Sequence, residues 1–413
     1  MIKKENIFTI YNLLILSLIV RFIFSIFYSD KTLENEWGII FHNYQASGVF
    51  GYNVVVNEFL ALPNLAKTGD VVLPTVFMPP LYFFYINLLK FLINDFFSIV
   101  NLVIYSQVIL STASVYFFHK IVETYEKDRL KALLITAIFS FFPINIYASL
   151  QISSITLQIF LIILFLYFLL IFNLRNETKF LSLFSIISGL LILIRGEFLV
   201  FYIFALLYLI IFLKKKYSKI LLSLLITLLV VSPYLHRNYH IFDEIVLTKS
   251  FGYNLLKGNN PSKIIEGNAS FVENQYDIES LKISTDNNYE INLDNFYKDR
   301  ALEFIKNDPF DYLKLYFIKV LTFLFFDINS TYPNYYNFFH IFPKFIVAIA
   351  SFFGGILSLQ KRGFSQFLAF YYFLNILLFS VFFILPRYSL ICLPVQLLLS
   401  IEFFRFLRRK LIN

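Results

Sequence analysis

Ionisable residues stand at the ends of long apolar runs in this sequence. Glu34 and Glu36 follow the first run, Arg195 and Glu197 lie between two others, and Arg237 and Arg387 sit at the ends of later ones. His42, Lys67, Asp243 and Glu244 are weaker members of the same set. A carboxylate in such a place can take the proton from an attacking hydroxyl. A guanidinium presents a planar fork of N–H donors that matches phosphate oxygens. Acids after the first run and arginines at several later ends would surround one pocket, suited to a reaction with an anionic leaving group. Each residue also has a plainer reading. Glu36, or Glu34 two residues earlier, is either a general base or a solvated loop acid, and Asp30 reads as an interfacial anchor. Arg237 and Arg387 are either phosphate ligands or lipid-headgroup anchors. Arg195-Gly196-Glu197 reads first as a tight turn closed by an internal ion pair, with Arg195 kept as a substrate-binding candidate. His236 and His240 have no further partners at ligand spacing, and the one cysteine, Cys392, lies inside an apolar run. No metal site, disulfide or cofactor is therefore expected.

The elements that must position these residues are membrane helices. The chain has 413 residues, 58% hydrophobic and 15% charged, with a mean hydropathy of +0.70. Soluble domains carry about 25% charged residues, so the surplus apolar surface must face lipid. A formal charge of +8 does not point to nucleic acid, because the basic residues form short clusters beside apolar runs. Ten spans are expected, at 7–28, 98–119, 132–149, 156–173, 180–196, 198–213, 219–236, 343–359, 364–385 and 389–406. Lys3 and Lys4 before the first run resemble a signal peptide, but the run is too long and no small-residue cleavage pattern follows, so it reads as a retained span. Basic loops (Lys3/Lys4, 120–131, 175–179, 214–219, 361–362 and 405–410) alternate with neutral or acidic ones. The positive-inside rule then puts both termini in the cytoplasm.

Two large segments, 29–97 and 237–342, fall on the outer side of a single membrane-embedded domain. In the first, Pro79-Pro80-Leu81-Tyr82 opens an apolar stretch that reads as a half-inserted helix. The second is polar as far as Asp294, with one or two short helices. It then becomes helical from Asn295 to Phe326 with a break at Asp308-Pro309, and Lys314 and Lys319 mark this part as interfacial. The fold class expected is all-α and polytopic.

Taken in order, these residues resemble the polytopic glycosyltransferases of the GT-C superfamily, specifically glycosyltransferase family 39 and the aminoarabinose and galacturonic acid transferases of lipid A. The resemblance covers nearly the whole chain. It rests on Glu36-Trp37, Asn43-Tyr44, Gly48 and Gly51-Tyr52, then on Pro79-Pro80-Leu81-Tyr82 and Pro143. Later come Pro233-Tyr234-Leu235-His236-Arg237-Asn238, Gly258-Asn259-Asn260-Pro261, and Arg387-Tyr388 with Pro394.

The resemblance implies transfer of a sugar from a polyprenyl-phosphate carrier to a lipid, glycan or protein acceptor on the outer face of the cytoplasmic membrane. Glu36 is then the expected base, with Glu34 as its substitute. Arg237, Asn238, Arg387, Tyr388, Pro79, Pro80, Tyr82, Lys67, Arg195 and Gln151 are the expected substrate-binding set. A monophosphate leaving group can be stabilised by arginine, so no metal is required. Two departures stand out. Met78 occupies the place before the proline pair where relatives carry a cation, and Gln151 stands where relatives carry a second acid. A transporter or flippase of lipid-linked sugars, or a non-catalytic envelope assembly subunit, are the rival readings. The first would show paired broken helices in two halves, and no such repeat is visible.

Overall fold

The computed structural model describes residues 9–28, 44–45, 53–55, 72–92, 96–126, 128–276, 282–284, 286–325 and 338–412. The expectations for Glu34, Glu36, His42 and Lys67 lie outside the described residues.

Helices coincide with all ten expected spans. They are α1 (Ile10–Tyr28), α2 (Leu81–Lys90), α3 (Phe96–Tyr125), α4 (Arg129–Ser140), α5 (Pro143–Leu150), α6 (Ile155–Arg175), α7 (Thr178–Ile192), α8 (Phe198–Ile211) and α9 (Tyr217–Phe242). The second part of the chain adds α10 (Phe251–Gly258), α11 (Ala269–Gln275), α12 (Tyr289–Asn307), α13 (Pro309–Leu324), α14 (Phe338–Leu359), α15 (Phe364–Phe379), α16 (Pro386–Leu390) and α17 (Leu393–Ile412). Among the described residues, α1, α3, α6, α9 and α14 each contain a stretch long and apolar enough to cross a membrane. The pair α4 and α5 makes a sixth if counted as one span, while α7, α8 and α15 are apolar but shorter. The protein is an all-α, polytopic helical bundle.

The third expected span, 132–149, is not straight. It breaks at Phe141-Phe142 with a 49° bend between α4 and α5. Pro143 is the cause: it takes the first position of α5, where its missing N–H is no loss, and it pushes the preceding residue out of the helical region. α2 follows the proline pair as expected and has ten residues. That is about 15 Å of rise, half the thickness of a bilayer core.

The segment before it holds a small sheet that its sequence pattern does not announce. Strands β1 (Tyr44–Gln45), β2 (Asn53–Val55) and β3 (Val72–Pro74) form an antiparallel sheet in that order, with Val54 opposite Tyr44 and Leu73. Strands of two or three residues leave no readable alternation in a sequence. Their β-branched valines suit the pleat.

The core runs along α6, whose buried face includes Ile159, Ile163, Phe165, Leu166 and Phe172. Phe165 packs against Phe184 of α7 at 4.9 Å and Phe198 of α8 at 5.1 Å between ring centroids. Helix ends are set locally. Asp128 caps α4 by accepting from Leu130 N at 3.0 Å and Lys131 N at 3.3 Å. Asp308 caps α13, accepting from Asp311 N, with Pro309 at the first position. Asn176 and Asp243 end α6 and α9 in the left-handed conformation.

The two ends of the bundle differ. One, the basic end, is closed by Glu402, whose buried carboxylate is bonded by Tyr125 and Lys361 and lies 3.1 Å from Arg405. Arg405 also reaches Glu126 at 3.0 Å. The other, the loop end, carries β3, residues 75–80 and helices α10 to α12.

Candidate active site

At the loop end, residues 75–81 form a strap tied to four other parts of the chain. Arg237 Nη1, from the last turns of α9, donates to the Thr75 carbonyl at 2.8 Å and to Asn238 Oδ1 at 2.7 Å. Asn238 Nδ2 in turn donates to the Val246 carbonyl at 2.7 Å. Lys249 N donates to the Val76 carbonyl at 2.8 Å, and Thr248 Oγ1 to the Phe77 carbonyl at 2.6 Å. Leu81 N donates to the Leu193 carbonyl in the turn between α7 and α8 at 2.9 Å.

The fourth tie comes from α12. Both carboxylate oxygens of Glu290 accept from Thr75 Oγ1 at 2.9 Å, and Oε2 accepts from Val76 N at 2.7 Å. Burial pushes the Glu290 carboxyl up to about 7, against the pull of these hydrogen bonds and of the Arg237 charge. Arg237 is thus buried with its Nη1 held between protein acceptors, and the rings of Tyr234 and Phe242 lie beside it.

A second cluster adjoins the strap, and the motif Gly258-Asn259-Asn260-Pro261 builds it. Gly258 ends α10 directly against the backbone of Phe382, where a Cβ would come within 2.1 Å of the Phe382 carbonyl oxygen. Only glycine permits that approach. Asn259 Nδ2 donates to the Leu255 and Val381 carbonyls, both at 2.9 Å, and Ile384 N donates to the Ile265 carbonyl at 2.9 Å. Lys319 of α13 completes the joint from the other side. Its fully buried Nζ donates to the Gly258 carbonyl and to Asn259 Oδ1, each at 2.9 Å. Burial lowers this ammonium to about 7. Lys319 therefore points into the protein, although α13 shows an exposed apolar face through Phe310, Leu313, Phe317 and Leu321.

The joint brings Lys257 of α10 next to Arg387 of α16. Lys257 Nζ lies 4.6 Å from the centre of the Phe383 ring, and Arg387 lies 5.9 Å from that of Tyr388. The Tyr388 ring stacks on Phe379 at 5.1 Å and meets Phe383 at 5.8 Å. Burial and the neighbouring Arg387 charge both lower the Lys257 ammonium below the usual lysine range, with Glu273 opposing them. Among the described residues no carboxylate lies within ion-pair distance of Lys257. Two cations held close together raise each other's cost unless an anion lies between them. A narrow crevice opens beside α16, with Ser389, Lys344 and Gln396 as its polar atoms and Phe142, Ile144 and Val347 among its apolar walls.

The other expected site residues are placed as follows. Pro79 and Pro80 carry the strap into α2, and Pro80 is buried. Met78 packs with Phe83, Tyr234 and Leu193. Tyr82 donates from its hydroxyl to Gln107 Oε1 at 2.9 Å. Gln107 Nε2 donates to the Gln151 carbonyl at 2.7 Å. The carboxamide of Gln151 is buried and makes no hydrogen bond among the described residues. Arg195 is half-buried in the turn that touches the strap, and no ion pair joins it to Glu197 among the described residues, so the expected closing bridge is absent. The carboxylate of Glu244 pairs instead with Lys249 at 3.2 Å.

Three charged residues at structurally important places were not singled out as site candidates: Glu290, Lys257 and Arg21. Arg21 lies inside α1 and is fully buried. Its Nε donates to Ser111 of α3 at 2.9 Å and its Nη1 to Ser17 Oγ at 2.5 Å. A lone ionisable residue inside an apolar run is the signal that would have found it.

No family model matches the chain, and no curated protein does. Among solved structures it is similar to ArnT from Cupriavidus metallidurans, in a crystal structure bound to undecaprenyl phosphate. The identity is 11% and the TM-score 0.35, over 94% of this chain and 77% of that one. At that distance the likeness has no bearing on what this chain does.

Proposed function

We propose that the chain is a membrane glycosyltransferase that moves a sugar from a polyprenyl-phosphate carrier to an acceptor at the outer face of the cytoplasmic membrane. The observation that carries this reading is the closeness of Lys257 and Arg387 at the loop end of an apolar bundle. A phosphate suits the two cations, and an isoprenoid chain suits the apolar helices around them. In the reaction the acceptor oxygen bonds to the anomeric carbon while the bond from that carbon to the phosphate oxygen breaks. The electron pair leaves with the phosphate, where Lys257 and Arg387 stabilise the charge. The acceptor proton goes to a carboxylate, for which the sequence motif nominates Glu36.

In this scheme Arg237 and Asn238 position the strap rather than touch phosphate. The buried Gln151 carboxamide offers a donor and an acceptor to a sugar or acceptor hydroxyl.

The test is sugar transfer in reconstituted vesicles supplied with a polyprenyl-phosphate-linked sugar. A charge-assisted hydrogen bond contributes about 1.5–3 kcal/mol. Lys257→Ala and Arg387→Ala should therefore each lower kcat/KM by roughly tenfold to a hundredfold, with the unfolding temperature unchanged. Parental kinetics in both variants would return the two cations to headgroup anchors. Movement of the lipid-linked sugar across the bilayer without transfer would favour a flippase.

A further inference from the structure

The sequence offers no third ligand near His236 and His240, and among the described residues no group of three metal-binding side chains forms. What the structure adds is the arrangement of these two. They lie one helical turn apart on the exposed face of α9, opposite the face that buries Arg237, Asn238 and Phe242. Their ring centroids are 4.3 Å apart at an interplanar angle of 84°. Tyr239, at 6.1 Å from His240, is the other ring in contact, and neither imidazole makes a hydrogen bond or ion pair among the described residues. Both residues are exposed.

We propose that His236 and His240 form a two-nitrogen site for a divalent transition-metal ion. Residues i and i+4 share a helix face. With metal–nitrogen bonds of about 2.1 Å, two imidazoles bound at right angles have ring centres roughly 4.5 Å apart, close to the spacing found here. The second torsion of histidine is broad, so each ring can turn a nitrogen toward a common point without moving the helix. The exposed carboxylate of Asp243 follows His240 within one turn and favours a cation electrostatically. With two protein ligands the ion keeps water in its remaining positions, which distinguishes this site from a closed structural zinc centre. Imidazole ligands give the order Cu(II) above Ni(II) and Zn(II).

The experiment uses tag-free, chelator-treated full-length protein in detergent, titrated separately with Cu(II), Ni(II) and Zn(II) salts. One ion per chain is expected, with Cu(II) binding tightest and showing two nitrogen couplings by electron paramagnetic resonance. Loss of an outer-shell partner already costs about tenfold to a hundredfold in metal affinity. His236→Ala and His240→Ala should each cost at least that much. Alanine is the best helix former, so both variants keep α9. Unchanged stoichiometry and spectrum in the double variant would mean adventitious binding elsewhere and would overturn the site. No saturable binding by the parent protein would overturn it as well. Sugar transfer plays no part in these readouts, so this result and that of the glycosyltransferase reading are independent.

Discussion

Replacing Glu290 by glutamine tests whether the strap is held by a carboxyl whose proton affinity differs between folded and unfolded chain. Glu290 is buried, and its carboxyl is raised from 4.5 to about 7. One unit corresponds to about 1.36 kcal/mol, so the shift is equivalent to roughly 3 kcal/mol. The folded state binds this proton more tightly than the unfolded state. The stabilisation is therefore fully present below about pH 4.5, falls as the pH rises toward 7, and is gone above it. Between pH 8 and pH 5 the parent protein should gain about 2–3 kcal/mol from this group, a rise of a few degrees in unfolding temperature.

Glu290→Gln keeps the shape and an acceptor for Thr75 Oγ1 and Val76 N, and it has no proton to exchange. Its unfolding temperature should lose that part of the pH dependence and exceed that of the parent at pH 8. The assay is thermal unfolding of detergent-solubilised protein followed by tryptophan-independent light scattering and circular dichroism across pH 4.5–8.5. Parallel pH profiles for parent and variant would show that Glu290 stays ionised throughout, and the burial argument would fail.

Two further outcomes follow from the same geometry. Arg237→Ala should lower stability by about 1–3 kcal/mol, because it leaves the buried Thr75 carbonyl without its donor; unfolding measurements alongside donor binding separate this from phosphate contact. Glu36→Gln should lower turnover by about 10²–10⁴-fold with donor binding retained, and Glu34→Gln much less; full transfer activity in the double variant would end the general-base assignment.

The long helices were legible because apolar runs of about 20 residues have few alternatives. The break at Asp308-Pro309 was legible because capping and proline chemistry are local. What could not be read were contacts between distant residues. Glu290 meets Thr75 across 215 positions, and in the sequence it is one acid among many in a polar loop. Lys319 read as an interruption in the apolar pattern of an interfacial helix, and its side chain turns inward because Gly258 and Asn259 supply acceptors there. The Gly258-Asn259-Asn260-Pro261 motif was visible, but its purpose depends on how closely Phe382 approaches.

Arg237 and Arg387 make the point most sharply, since both are arginines at the end of an apolar run. A charged group fully enclosed by protein must have its donors satisfied by protein, because desolvation costs several kcal/mol. Arg237 meets part of that demand through Nη1, which donates to the Thr75 carbonyl and Asn238 Oδ1 and ties α9 to the strap. Arg387 is half-buried and stands beside Lys257, a cation that raises the cost of its own charge. The repulsion between two such cations falls when an anion binds between them, and on the proposed reading that anion is the phosphate of the carrier.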